Sequence, residues 1–142
     1  MPDPDSYRRR IGAGAIIFDD SGRILLVKQG YGDNAWDIPA GAGEPGEAAQ
    51  STAIRELREE AGIDAEPRYM TGVYYHDPTD THDFVFVCEA AHGDTPIAQP
   101  PETTECGYFS SDALPQPMTS FTRLRIEDAM RDLRLPLPTR AS

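Results

Sequence analysis

Glu56, Glu59 and Glu60 stand at positions i, i+3 and i+4, a spacing that gathers carboxylates on one patch of a helix. Three like charges there repel one another by about 0.2–0.5 kcal/mol per exposed pair, so a counter-charge is expected. A hard divalent cation suits the need, because Mg²⁺ takes one or two carboxylates and fills its shell with water and substrate phosphate oxygens. The bland alternative is a solvated acidic face, the usual end of a charge run, in a chain with 24 Asp and Glu. Neighbouring residues decide between them. Gly41, Glu47, Arg55, Leu57, Gly62 and Ile63 fall in register with the three glutamates, completing G-x5-E-x7-R-E-U-x-E-E-x-G-U (U aliphatic) with no position missed. With average residue use of about 6%, coincidence would produce this on the order of 10⁻⁸ times per chain of this size.

A helix must carry these side chains. No Gly or Pro interrupts Ala48 to Ala61, where Ala, Leu, Arg, Gln and Glu dominate, so a helix is predicted there. Pro45 and Gly46 form the preceding turn, and Glu47 is placed in the first turn, at the positive end of the helix dipole. Gly62 is the expected cap, tolerating positive φ. Ala53, Ile54, Leu57 and Ala61 form the predicted buried stripe.

Around this helix the pattern alternates strands and turns. Ile11 to Phe18 and Ile24 to Lys28 read as strands joined in a hairpin by Asp20-Ser21-Gly22. A loop with Gly30, Gly32 and Asn34 leads to a short strand around Trp36 to Ile38, and Pro39 opens an irregular, Gly-rich approach to the helix. Arg68 to Tyr75 and His82 to Ala90 are strands flanking an Asp77-Pro78-Thr79-Asp80 turn. Residues 91 to 101 form a loop before a short strand near Tyr108 and Phe109. Ser110-Ser111-Asp112 signals one helical turn, and a final amphipathic helix runs from Ser120 to Leu133, carrying Phe121, Leu124, Ile126, Ala129, Met130 and Leu133.

Size and charge set bounds. A chain of 142 residues with 39% hydrophobic content is expected to be one domain, 1–142, with its core at about residues 10–133 and frayed ends, notably 136–142. No run of eighteen apolar residues and no secretory leader is present, so no membrane span and a cytoplasmic location are expected. Cys88 and Cys106 have neither metal spacing nor a disulfide framework around them. The net charge of −11 argues against nucleic-acid binding, which needs a basic surface. Arg8, Arg9 and Arg10 are the one tight basic cluster; Arg10 is the candidate among them to reach a substrate phosphate. His76, His82 and His92 lack partners at metal-ligand spacing. Gly41 and Gly43 lack the Gly-Lys-Ser/Thr of a P-loop, and no Gly-x-Ser-x-Gly elbow supports a serine nucleophile.

Through residues 41–63 the chain resembles the Nudix hydrolases. The resemblance implies an α/β/α sandwich with a mixed β-sheet, extending in outline over residues 10 to 133. It implies that Mg²⁺ or Mn²⁺ is held on a substrate diphosphate by Glu56, Glu59 and Glu60 with the backbone carbonyl of Ala40, while water attacks phosphorus. Glu47 and Arg55 match orienting positions. Ala40 stands where a Gly is common, and Gly43 where an aliphatic residue is usual, which predicts looser packing of the lead-in loop. The base that takes the water's proton is Glu56 or another box glutamate such as Glu59, or a later loop glutamate; Glu102 and then Glu105, just before Tyr108-Phe109, are the loop candidates.

The expected partner is a small nucleotide substrate, with a homodimer an open option. Trp36, Tyr31, Tyr74 and Tyr75 offer faces for a base. GVYYHDP, with Pro78 15 residues beyond the box, resembles a segment of ADP-ribose-cleaving members. Nucleoside triphosphates, oxidised ones included, are equally compatible. The competing class is a fold relative that binds a nucleotide without hydrolysing it, which degenerate box carboxylates would favour; here all are intact.

Overall fold

A computed structural model describes residues 10–91 and 95–142. Seven strands, two α-helices and a 3-10 turn, Asp77–Thr79, are present among them: β1 Ile11–Ile16, β2 Ile24–Gln29, β3 Trp36–Asp37, β4 Ala40–Ala42, α1 Ala49–Ala61, β5 Ala65–His76, β6 Thr81–Ala90, β7 Thr103–Phe109 and α2 Ser120–Met130. They form two sheets, one of order β4-β1-β6-β5 and one of order β3-β2-β7. The first is mixed, because β1 runs parallel to β6 while β4 and β5 pair antiparallel to their neighbours.

The central strands are buried on both faces, which is why they read as continuous aliphatic runs rather than alternating ones. Ala13, Ala15 and Ile17 of the first strand region, Leu25 and Val27 of β2, and Phe86 and Cys88 of β6 pack with Ala53, Leu57 and Ala61 of α1. The intervening residues Ile16, Ile24, Leu26, Val85 and Val87 face the other way, toward Ile126 and Ala129 of α2. The result is the expected α/β/α sandwich.

Several local expectations are corrected. The Asp20-Ser21-Gly22 turn forms, but β1 and β2 separate into different sheets; beyond the turn their backbones meet at a Phe18–Ile24 bridge and through the Leu25 N–H donated to Ile17 O at 3.0 Å. Residues after Pro39 are not irregular; they form β4, whose Gly12–Ala42 to Gly14–Ala40 register with β1 could not be read from three small residues. Ser110-Ser111-Asp112 makes a turn without a helix, closed by the Ala113 N–H on Ser110 O at 3.0 Å. Helix α2 stops at Met130 because Asp132 takes φ +57°.

The buried side of α2 is Thr122, Arg125, Ile126 and Ala129, whereas Leu124, Met130 and Leu133 are exposed. Arg125 draws the helix onto this face by pairing with Asp37. Beyond α2, where fraying was expected from residue 136, Leu137 packs on the α1 core and Pro138 O accepts from Gln50 Nε2 at 3.3 Å. Just before it, Leu135 pairs antiparallel with Met70.

Candidate active site

Helix α1 begins at Ala49 with Ala48 as its cap, so Glu47 lies just before the helix rather than in its first turn. That position frees its carboxylate to organise the approach. It accepts the Glu44 backbone N–H at 3.1 Å and the Thr52 hydroxyl at 2.6 Å. It also meets Arg55 side-on, with Nε to Oε2 at 2.9 Å and Nη2 to Oε1 at 3.1 Å. Two parallel charge-assisted bonds fix both direction and distance. The Arg55 guanidinium holds the Glu47 carboxyl down to about 2.

Arg55 is the hub of the site. Besides Glu47 it donates to Glu56 at 3.0 Å, to Glu59 at 3.1 Å and to the Ala42 carbonyl of β4 at 2.9 Å. One side chain therefore ties the helix, its lead-in turn and the adjacent strand together. Thr52 is the helper that sequence reasoning missed; nothing in a helical threonine signals a bond to a residue five positions earlier.

Glu56 and Glu60 both line the cleft on the inner side of α1, close enough for each carboxyl to act on the other. Glu60 is only 9% exposed. Burial, and then the Glu56 charge, push the Glu60 carboxyl well above its ordinary range, and burial pushes Glu56 up as well. The Ala40 N–H points at Glu60 Oε2 at 3.4 Å. A side chain at Gly41 would collide with the Glu56 carboxylate, so a glycine is required where the strand crosses the pair. Gly62 ends the helix at φ +66°, donating to Arg58 O.

The three box glutamates are thus not equivalent. Glu56 and Glu60 meet in the cleft, while Glu59 turns outward to Arg55 and is half exposed. Among the described residues, no three His, Cys, Asp or Glu side chains converge closely enough to hold a metal unaided. Two neighbouring carboxylates, Glu60 buried and Glu56 partly so, beside open cleft space still match what Mg²⁺ asks of a protein, since water and substrate oxygens fill the rest of its shell.

That cleft, of about 350 Å³, is lined by Gln29, Tyr31, Ala40, Gly41, Glu56, Glu60, Glu102 and Thr103. Glu102 is brought here by contacts distant in sequence. Thr103 Oγ1 donates to the Glu60 backbone carbonyl at 2.7 Å and accepts the Gln99 N–H at 2.8 Å. Gly30 donates its N–H to Glu102 O at 2.8 Å, and any side chain at Gly30 would strike Pro101 O. Glu105, by contrast, lies within β7, is exposed and faces Lys28 at 3.5 Å; it does not line the cleft, which separates the two loop candidates.

The substrate candidates fare differently. Tyr31 is exposed on the cleft rim. Trp36 is instead a core residue, 9% exposed and packed edge-to-face on Phe109 at 5.0 Å. Tyr74 is tied to Asp128 at 2.7 Å and Tyr75 to Asp80 at 2.6 Å. Arg10 lines a second pocket, while Arg8, Arg9 and His92 lie outside the described residues. His76 stacks on Phe121 at 4.4 Å and His82 leans on Tyr75 at 5.1 Å. Gly43 does not loosen its loop: a side chain there would press Ile11 Cγ1 at 2.9 Å, and its N–H bonds Ile11 O at 2.9 Å.

The second pocket, of about 430 Å³, shares Ala40 and Gly41 with the cleft. Its floor holds Arg125, 3% exposed, which donates to Asp37 Oδ1 at 2.9 Å and lies over the Phe121 ring at 4.1 Å. Asp83 Oδ2 is 4.0 Å from Arg125 Nη1. Sequence reasoning missed this group, because Asp37, Asp83 and Arg125 lie on three separate elements.

Comparison with known proteins agrees with this geometry. The NUDIX domain family model matches residues 8–129. A Bacillus subtilis protein named "Putative 8-oxo-dGTP diphosphatase" is 32% identical over 117 residues, covering 82% of this chain and 77% of that one. The crystal structure of a MutT NUDIX hydrolase from Burkholderia pseudomallei superposes with a TM-score of 0.71 at 33% identity, covering 85% of this chain and 98% of that one. An ADP-ribose pyrophosphatase from Streptococcus suis shares the fold, with a TM-score of 0.73 at 24% identity over 90% of this chain and 96% of that one. The chain belongs to the NUDIX family, and it is a Nudix-type pyrophosphohydrolase.

Proposed function

We propose that the protein cleaves the diphosphate linkage of a small nucleotide derivative in a divalent-cation-dependent reaction, with nucleoside triphosphates, oxidised ones included, ahead of ADP-ribose-like compounds. The Glu56–Glu60 pair in the cleft, with Glu60 buried, carries this reading. Two facing carboxylates form a site that gains from a cation and loses from its lack. The Bacillus subtilis relative favours a triphosphate, since its identity extends over most of both chains, whereas the ADP-ribose-cleaving neighbour supports the fold alone.

Glu56, Glu60 and the Ala40 carbonyl would hold Mg²⁺, with Glu59 joining by giving up its bond to Arg55. When bound, the ion neutralises diphosphate charge and acidifies the attacking water. The protein's own residues do the rest. Arg55 and Glu47 keep Glu56 in place, and β4 supplies a backbone edge without side-chain bulk. Glu102 takes the proton from water: it lines the cleft and Gly30 anchors its backbone, whereas Glu56 is committed to Arg55. Tyr31 closes the rim.

The test is turnover of a nucleotide panel (triphosphates, their 8-oxo forms, ADP-ribose, dinucleoside polyphosphates) with about 5 mM Mg²⁺, roughly saturating for such a site, and products separated by chromatography. A monophosphate plus pyrophosphate from a triphosphate is expected. AMP from ADP-ribose alone would overturn the ranking. No product from any compound, with melting temperature still rising on adding nucleotide, would make this chain a binding module.

A further inference from the structure

Beside the cleft, the pocket floored by Arg125 contains one polar atom with no use inside the fold. Asp83 Oδ1 is buried and finds no hydrogen-bond partner among the described residues. It lies over Gly12, where a side-chain carbon would approach it to 3.1 Å, so the glycine leaves room for the carboxylate at the pocket wall. Gly12 sits between Asp83 of β6 and Ala42 of β4 in register, and all three line the pocket.

Two carboxylates, Asp37 and Asp83, share a single buried guanidinium. Arg125 is already occupied by Asp37, by Thr122 Oγ1 at 3.2 Å and by Phe121 O at 3.4 Å. At Asp83 Oδ1 the pocket floor therefore holds an acceptor that no donor of the described residues meets. A buried acceptor without a partner is costly, and a ligand that donates N–H groups removes the cost. Because the pocket and the cleft meet at Ala40–Gly41, one nucleotide can reach both, phosphates toward Glu56 and Glu60, base toward Asp83.

Resting on the nucleotide reading above, we propose that Asp83 selects the base, and that it selects a guanine-type base, 8-oxidised or not. Guanine places a ring N–H and an exocyclic amine side by side on one edge, and a carboxylate can accept both. Adenine offers an amine beside an acceptor nitrogen, and thymine a ring N–H between two carbonyls, so each sets an acceptor against the carboxylate. Arg125 and Asp37 are positioning residues that hold Asp83 and the pocket floor.

The experiment measures kcat/KM for dGTP, dATP, dCTP and dTTP with Mg²⁺ on the parent, on Asp83→Asn and on Glu89→Gln, an exposed control on the same strand. Binding of dGMP, dAMP, dCMP and dTMP by calorimetry accompanies it. The parent should prefer dGTP, and Asp83→Asn should lower that preference by about 10–100-fold, as expected for loss of one bidentate base contact, while Glu89→Gln leaves it unchanged. Equal use of the four bases by the parent, or an unaltered ranking in Asp83→Asn, overturns the proposal while leaving the hydrolase reading intact. If Asp83→Asn does not fold, the parent's ranking of the four monophosphates decides. Neither turnover nor binding of any of these compounds overturns the nucleotide reading and this proposal together.

Discussion

Replacing Glu60 by Gln separates a metal-binding carboxylate from a merely structural one. Glu60 is nearly buried against Glu56, and two ionised carboxylates about 4 Å apart would repel by about 4 kcal/mol at an effective dielectric near 20. A proton retained on the pair would relieve most of this, at about 1.4 kcal/mol per pKa unit at higher pH. Because burial raises the folded pKa of Glu60, the folded state binds more protons than the unfolded one above the usual carboxylate pKa. Stability of the metal-free protein must then fall as pH rises from about 4.5 toward the folded value. Glu60→Gln removes the charge and keeps the shape, so at pH 8 in EDTA it should be more stable than the parent by about 1–3 kcal/mol, about 4–10 °C in Tm. At pH 5 the difference should shrink. Adding Mg²⁺ should raise the Tm of the parent and not of the variant, and kcat of the variant should drop by orders of magnitude. A variant that melts below the parent at pH 8 in EDTA, or that gains equally from Mg²⁺, would refute the reasoning.

The Glu47–Arg55 pair makes the opposite pH signature. Arg55 holds the Glu47 carboxyl down to about 2, so its contribution is complete above about 4.5 and disappears as pH falls toward 2. The shift is equivalent to about 2–3 kcal/mol after discounting for solvent screening, and acid unfolding of Glu47→Gln should begin at higher pH than that of the parent. Gly41→Ala should displace Glu56 and lose most activity while the protein remains folded; circular dichroism with a kinetic assay checks this, and an active variant would mean that Glu56 can leave the cleft freely. Glu102→Gln should lower kcat far more than it changes KM and flatten the acidic limb of the pH–rate profile, and an unaltered profile would return the proton transfer to Glu56.

What was legible in the sequence was local. Residues 49–61 specify their own helix by composition, and Gly62 its end, so the carboxylate spacing became geometry without further information. Arg55 entered only as an orienting position implied by the resemblance; its bonds to Glu47, Glu56 and Glu59 depend on how the lead-in turn folds back on the helix. The division of labour within the acidic patch was not legible, because whether a helical glutamate faces Arg55 or a partner carboxylate depends on which side the sheet covers. Strand β4 was hidden because Ala40, Gly41 and Ala42 carry no strand propensity; pairing with β1 makes them a strand. Trp36 read equally well as a stacking platform or a core residue, and packing on Phe109, 73 positions away in the chain, decides for the core. Likewise α2 was aligned by its apolar residues, when a buried Arg125 seeking Asp37 sets its face.

The most direct measurement is ³¹P NMR of dGTP incubated with the protein, run once with Mg²⁺ and once with EDTA. The account predicts dGMP and pyrophosphate in equal amounts with Mg²⁺ and unaltered dGTP with EDTA. Turnover undiminished by EDTA, or release of single orthophosphate in place of pyrophosphate, would contradict it.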